Sequence, residues 1–163
     1  MIDVTLIHPI INFFTIALFS VSMVLDIVAK INKKERLHYA AWVNLLFTGA
    51  VATLSVISGL LADNNVSHND EVHEIIHTHQ TIGFIILGSV LLLLIWRIVL
   101  KGTFPTKAWQ LYMIIGLTSL GFMFTGAYYG GKMIFKHGEA VKAVQMDKQD
   151  DHHHGEDQHH SHD

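Results

Sequence analysis

A short segment of the chain combines three imidazoles with a carboxylate, side chains that bind metals or exchange protons. The segment reads His73-Glu74-Ile75-Ile76-His77-Thr78-His79. It runs without a break into a long apolar stretch that ends at residue 99. Ligand-capable side chains therefore lie at the start of a segment that is apolar enough to cross a lipid bilayer.

One interpretation of this segment is a zinc protease, because His73, Glu74 and His77 match the pattern H-E-x-x-H. In that pattern two imidazoles one helical turn apart hold zinc, and the glutamate acts as the base. The chain has thirteen histidines, so a chance match is ordinary, and it offers no convincing third-ligand motif. We rank a membrane metalloprotease third among three hypotheses.

A second interpretation is ligation of haem b or a transition metal inside a helix bundle, which takes imidazoles from facing helices. The chain has no cysteine, which excludes thiolate sites and covalently attached haem c. The candidate ligands are His8, His77, His79 and His137. His77 and His79 differ by about 200° around a helix, so only one faces inward, and spacing leaves the choice open. The alternative is that these histidines bind no cofactor and are solvated at a membrane surface.

Composition indicates a membrane fold. Half of the residues are apolar and 15% are charged, against about 25% charged in a soluble domain. Four apolar runs each reach the roughly 20 residues that span a bilayer. We predict an all-α, four-helix antiparallel transmembrane bundle in a membrane domain 1–138, and we find no internal repeat. The predicted helices cover about 4–30, 38–62, 73–100 and 106–136.

Charge predicts the orientation. The loop 63–74 has acidic residues and no lysine or arginine. The positive-inside rule therefore places the two basic loops in the cytoplasm and both termini outside. His8, the helix-three histidines and His137 then share the outer surface. The basic residues serve as topology signals, and nothing suggests nucleic acid. They are Lys30, Lys33, Lys34 and Arg36 in the first loop, and Arg97, Lys101 and Lys107 in the third.

Polar residues predict which helix faces point inward, since polar side chains in lipid are costly. On helix one, spacings of three and four place six residues on one face, and Asp26 at its end has Lys30 or Arg97 as a partner. A similar stripe on helix four is expected to face inward. The first stripe is His8, Asn12, Thr15, Phe19, Ser22 and Asp26; the second is Thr118, Gly121, Thr125, Tyr128 and Lys132.

The segment 139–163 is acidic and histidine-rich and has little to bury, so we predict a disordered tail. Its histidines are suited to loose chelation of Zn, Cu or Ni, and a purely solvating tail is the alternative. The tail histidines are His152, His153, His154, His159, His160 and His162.

Several of these features together resemble the bacterial "domain of unknown function 2231" family of predicted membrane proteins, over residues 7–141. The residues that carry the resemblance are His8-Pro9, Asp26, Gly59, Asp63, His79 followed by Gly83, Arg97, Gly130-Gly131 and His137-Gly138. The family opening usually continues as His-Phe-Pro, whereas this chain has Asn12-Phe13-Phe14. The resemblance implies a four-helix bacterial inner (plasma) membrane protein suspected of haem binding or electron transfer.

The leading hypothesis is therefore a non-enzymatic redox protein that binds haem b or a transition metal through histidines on its outer face. Its partners would be the lipid bilayer and a quinone or membrane redox subunit, and a homo-oligomer is compatible with the sequence. The alternative is a metal-handling or accessory subunit whose tail sequesters Zn, Cu or Ni. His73 and His77, at the start of helix three, are further candidate metal ligands.

Overall fold

Four long helices make up almost all of the described chain. The computed structural model describes residues 4–63 and 70–137, with side chains described for 7–61 and 74–132. Within these ranges there is no strand, which confirms the all-α prediction. The helices are α1 (Val4–Asn32), α2 (Glu35–Asp63), α3 (Asp70–Val99) and α4 (Trp109–His137), with a short 3-10 helix (Thr106–Ala108) before α4.

Each of the four helices is long and apolar enough to cross a membrane. Large apolar side chains such as Phe13, Phe47, Phe84 and Phe124 are exposed on the outside of the bundle. Outward-facing apolar side chains are what a lipid environment requires. The protein is therefore an integral membrane protein that spans the bilayer four times.

The helices α2 and α3 begin earlier than the hydrophobic runs suggested, at Glu35 and Asp70. A compact turn ends α1: Lys33 has a φ of 53°, and the Lys34 amide donates to the Ala29 carbonyl at 3.0 Å. Both helices start with acidic residues, which favour the positive end of the helix dipole. The hydrophobic runs alone do not predict these first turns, because the residues in them are polar.

The bundle consists of two helical hairpins, α1–α2 and α3–α4. Each hairpin packs closely within itself, the hairpins meet through α2–α3 and more sparsely through α1–α4, and α1 lies diagonally opposite α3. Because the hairpins are antiparallel, α1 and α3 run in the same direction. We call the end near His8 and His79 the histidine end, and the end near Asp26 and Arg97 the arginine end.

The predicted inward face of α1 is confirmed, since Thr15, Phe19, Ser22 and Asp26 are buried. An apolar core fills the middle of the bundle and separates its two ends. The core residues include Phe19, Met23, Leu45, Val90, Leu93 and Met123.

The predicted inward face of α4 is wrong. Thr118, Gly121 and Thr125 are exposed, and the Thr125 hydroxyl donates to the Gly121 carbonyl at 3.0 Å. Because such a hydroxyl is satisfied by its own helix, it can face lipid at little cost. The buried positions on α4 are instead Tyr112, Met113, Gly116, Ser119, Met123 and Gly126.

Candidate functional site

His8 is held against α2 in a defined orientation. Its Nδ1 lies 2.9 Å from the Ser55 carbonyl oxygen and 3.1 Å from the Ser58 hydroxyl. A carbonyl oxygen only accepts hydrogen bonds, so Nδ1 carries the proton and donates it to Ser55. The neutral imidazole then keeps an unprotonated Nε2, the atom that binds a metal.

His79 repeats this arrangement on the other hairpin. Its Nδ1 lies 3.0 Å from the Gly126 carbonyl oxygen on α4, which again makes Nδ1 the donor and Nε2 the free nitrogen. The rings of His8 and His79 meet edge to face across the diagonal of the bundle. Their centroids are 5.8 Å apart and their planes are 89° apart.

Two glycines make room for these imidazoles. A Cβ at Gly59 would lie 2.9 Å from Cε1 of His8, and a Cβ at Gly130 would lie 3.3 Å from Cε1 of His79. Each glycine comes one turn after the carbonyl that its histidine bonds, at Ser55 and Gly126. The missing side chain therefore lets each ring approach the helix backbone and reach that carbonyl.

The structure separates His79 from the other histidines proposed on α3. His77 and Glu74 are exposed, so it is His79 that meets His8. His73 and His137 lie in α3 and α4, but their side chains are outside the described set. Among the side chains that the structure describes, no three histidines or acids gather as a metal site. The tail ligands His152, His153, His154, His159, His160 and His162 lie outside the described residues.

A second polar cluster lies at the arginine end and is centred on the fully buried Asp26. Its carboxylate accepts from Nη1 of Arg97 at 2.9 Å and 3.1 Å. It also lies 2.8 Å from Nδ1 of His38 and accepts from the Tyr112 hydroxyl at 3.2 Å. Each of the four helices thus contributes one side chain to the cluster.

Arg97 also bonds backbone groups around the cluster. Its Nη2 donates to the carbonyls of His38 at 2.9 Å and Gly102 at 3.2 Å. Of the two partners considered for Asp26, the structure selects Arg97, while Lys30 lies 5.2 Å above the Trp109 ring. The contributions of His38 and Tyr112 were not foreseen, because neither residue is unusual for a helix end near a membrane surface.

Comparison with known protein families identifies the family of this chain. The model of a family described as "Predicted membrane protein (DUF2231)" matches residues 5–143. The chain belongs to this family. The matched region covers all four helices and both polar clusters of this DUF2231 protein. No curated protein and no solved structure matches the chain.

The two hairpins of this DUF2231 protein are related by an internal repeat, which corrects our expectation of none. His8 and His79 are separated by the same 71 residues as Asp26 and Arg97. Each histidine also bonds a carbonyl 47 residues further along the chain. Equal offsets at both ends place these residues of α1–α2 and α3–α4 at corresponding positions, the arrangement that an approximate two-fold axis along the bundle produces.

Buried positions follow the same 71-residue offset along α2 and α4, although the side chains differ. Corresponding positions are buried in both hairpins, but few of them hold the same residue type. The repeat therefore cannot be recognised from the residue types alone. The His8–His79 pair therefore takes one histidine from an equivalent position in each hairpin. The matching buried pairs are Ala41 and Tyr112, Leu45 and Gly116, Thr48 and Ser119, Ala52 and Met123, and Ser55 and Gly126.

Adding a methyl group at either glycine of the site is expected to destabilise this DUF2231 protein. Gly59→Ala places a Cβ 2.9 Å from an imidazole that the surrounding helices hold in place, which costs about 1–3 kcal/mol, and Gly130→Ala, with a contact of 3.3 Å, should cost less. Equilibrium unfolding in mixed micelles measures the change in free energy.

Gly83→Ala is the matched control, because a Cβ there meets nothing within 4 Å. It should stabilise its helix by up to about 1 kcal/mol, the difference in helix propensity. Equal unfolding free energies for Gly59→Ala and Gly83→Ala would show that His8 does not occupy the space beside Gly59.

Proposed function

We propose that the protein binds haem b through Nε2 of His8 and Nε2 of His79 and acts as a membrane electron-transfer protein. The observation that carries the proposal is the matched pair of hydrogen bonds from Nδ1 to a backbone carbonyl. Histidines that ligate metals almost always donate their other ring N–H to a carbonyl, carboxylate or water, which fixes the ring and raises its basicity.

Two imidazoles are a set of protein ligands that suits a b-type haem. A zinc ion takes four ligands in a structural site and three protein ligands in a catalytic one. The described side chains bring only two imidazoles together, His8 and His79. A haem iron already has four porphyrin nitrogens, so two axial imidazoles complete its coordination.

The spacing of the two rings also fits ligation of one metal. With metal–nitrogen bonds of about 2.0 Å, each imidazole centroid lies about 3.1 Å from the metal, so two imidazoles held by one haem iron have centroids roughly 6 Å apart. The observed separation is 5.8 Å. Both rings are half-buried, and each belongs to a different hairpin. A planar group inserted between hairpins therefore leaves the close packing within each hairpin intact.

The surrounding residues would set the properties of the group. Ile75, Ile76 and Ile82 are buried on α3 around His79, and an apolar environment limits the access of water to a haem. Bound haem supplies one-electron transfer by its iron. The apolar core closes the bundle toward the arginine end, so exchange of electrons takes place at the histidine end.

The setting of this activity is also part of the proposal. The basic loops favour a cytoplasmic arginine end, which places the histidine end and both termini outside in a bacterial inner membrane. A redox partner must then reach the outer surface of the bundle. A quinone dissolved in the bilayer and a neighbouring membrane subunit both meet this requirement.

The absorption spectrum of detergent-purified protein tests the proposal. The air-oxidised protein should show a Soret band, and dithionite reduction should produce the sharp α and β bands of a bis-imidazole haem b. Pyridine haemochrome analysis should give about one haem per chain. Protein that carries no haem, and gains no such spectrum when haemin is added, would overturn the proposal.

The six tail histidines support metal sequestration as a second candidate, since His/acid tracts of this kind bind Zn, Cu or Ni. Deleting residues 147–163 and measuring bound metal separates the two functions. The haem proposal predicts an unchanged haem content in the shortened chain. Loss of most bound metal, in a protein without haem, would favour sequestration.

A further inference from the structure

At the arginine end, an apolar groove opens between α1 and α4. The two helices touch where Met23 packs against Gly116. One turn closer to the arginine end they leave a cavity of about 280 Å³. The cavity is lined by Ile27, Lys30, Ile31, Phe104, Trp109 and Met113.

From this groove we infer a binding site for an anionic phospholipid, with an acyl chain in the cavity and the phosphate beside Lys30. The site is independent of the histidine pair and of any haem. Apart from Lys30 the lining side chains are apolar or aromatic. A groove of this kind on a membrane-spanning bundle faces hydrocarbon, so an acyl chain is its natural occupant.

The rim of the groove has the charge that a phosphate requires. Nζ of Lys30 lies 5.2 Å above the Trp109 ring, and Glu35 is the one exposed acid at this end in the described chain. Basic residues between helices bind anionic headgroups, and each contributes about 1 kcal/mol near the surface. The exposed basic residues at this end are Lys30, Lys33, Lys34, Arg36, Lys101 and Lys107.

The Lys30–Trp109 contact also disfavours choline lipids. An aromatic face attracts a quaternary ammonium by cation–π interaction, but here the Trp109 face already holds the Lys30 ammonium. A trimethylammonium group would meet a like charge at this position. The site should therefore select a headgroup with net negative charge over a zwitterionic one.

The internal repeat supplies a natural control. The equivalent of Lys30 is Lys101, which lines a smaller cavity of about 190 Å³ between α2 and the segment that follows α3. Glu35 and His38 also line that cavity, so its rim carries a carboxylate that repels phosphate. Each groove has a lysine at the equivalent position, but we expect only the α1–α4 groove to select an anionic lipid.

Fluorescence quenching by brominated lipids tests the site. The chain has three tryptophans, so Trp42→Phe with Trp96→Phe leaves Trp109 as the reporter. In vesicles of phosphatidylglycerol and phosphatidylcholine, brominated phosphatidylglycerol should quench Trp109 with an association constant about fivefold higher than brominated phosphatidylcholine. High salt should reduce this preference, because the headgroup contact is electrostatic.

Lys30→Gln should reduce the preference to near onefold, and Lys101→Gln should leave it unchanged. Equal quenching by the two lipids, or an equal effect of the two substitutions, would overturn the inference. If the double tryptophan variant does not fold, native mass spectrometry of the chain with all three tryptophans gives the same comparison. In that measurement the chain with all three tryptophans should retain more phosphatidylglycerol than phosphatidylcholine, and Lys30→Gln alone should abolish this selectivity.

Discussion

Replacing Arg97 by methionine is expected to destabilise the bundle by about 3–5 kcal/mol, because it leaves a buried carboxylate without its cation. Both Arg97 and Asp26 are fully buried, and the guanidinium also bonds the carbonyls of His38 and Gly102. Methionine fills much of the space but satisfies none of these groups. Denaturant titration in mixed micelles, followed by tryptophan fluorescence, measures the loss.

Arg36→Met is the matched control for this prediction. Arg36 is exposed at the same end of the bundle, and the same change there should cost no more than about 0.5 kcal/mol. The double variant Asp26→Asn with Arg97→Met should be more stable than Arg97→Met alone, because the unpaired charge is gone. Equal midpoints for Arg97→Met and Arg36→Met would show that the cluster does not hold the four helices together.

The sequence predicted the four helices well because membrane spans depend on a property that sums over many residues. The inward face of α1 was predicted from the free-energy cost of exposing the polar side chains of Asp26, Ser22 and Thr15 to lipid. The same reasoning failed on α4, where Thr118 and Thr125 face outward. A threonine whose hydroxyl donates to a carbonyl of its own helix can face lipid at little cost in free energy. The position of such a threonine therefore does not show which face of the helix points toward the core.

The choice between His77 and His79 was open in the sequence but could have been made from it. Asp26 follows His8 by the same 18 residues as Arg97 follows His79, and 18 residues are five complete helical turns. Once Asp26 is paired with Arg97, the face of α3 that carries Arg97 also carries His79. The contacts of His38 and Tyr112 depend on the packing of all four helices, so no local pattern revealed them.

The approximate two-fold axis gives the two polar clusters different roles. At the histidine end the equivalent positions hold the same residue, so a haem bound as we propose would meet both hairpins in the same way. At the arginine end the equivalent positions hold opposite charges, Asp26 and Arg97. Opposite charges favour the association of α1–α2 with α3–α4. Two copies of the same hairpin would instead bring like charges together, which disfavours their association. The chain therefore combines a pair of identical residues at one end of the bundle with a pair of oppositely charged residues at the other.

The largest functional effect is expected from substitution of the two histidines that we propose as haem ligands. His8→Ala and His79→Ala should each lower haem affinity by at least about 100-fold, more than the loss of a hydrogen bond to a ligand usually costs. The two variants should behave alike, because each removes one of two equivalent axial nitrogens. Haemin titration of purified protein, followed at the Soret band, measures the affinity and shows whether six-coordinate haem forms.

His77→Ala separates ligation from a general effect of removing a histidine on α3. His77 is exposed and lies two residues from His79, on nearly the opposite face of the helix. Its loss should leave haem affinity and the α and β bands unchanged, while circular dichroism should show equal helix content in all three variants. If His77→Ala lost the haem and His79→Ala retained it, the imidazole that meets His8 across the bundle would not be the ligand.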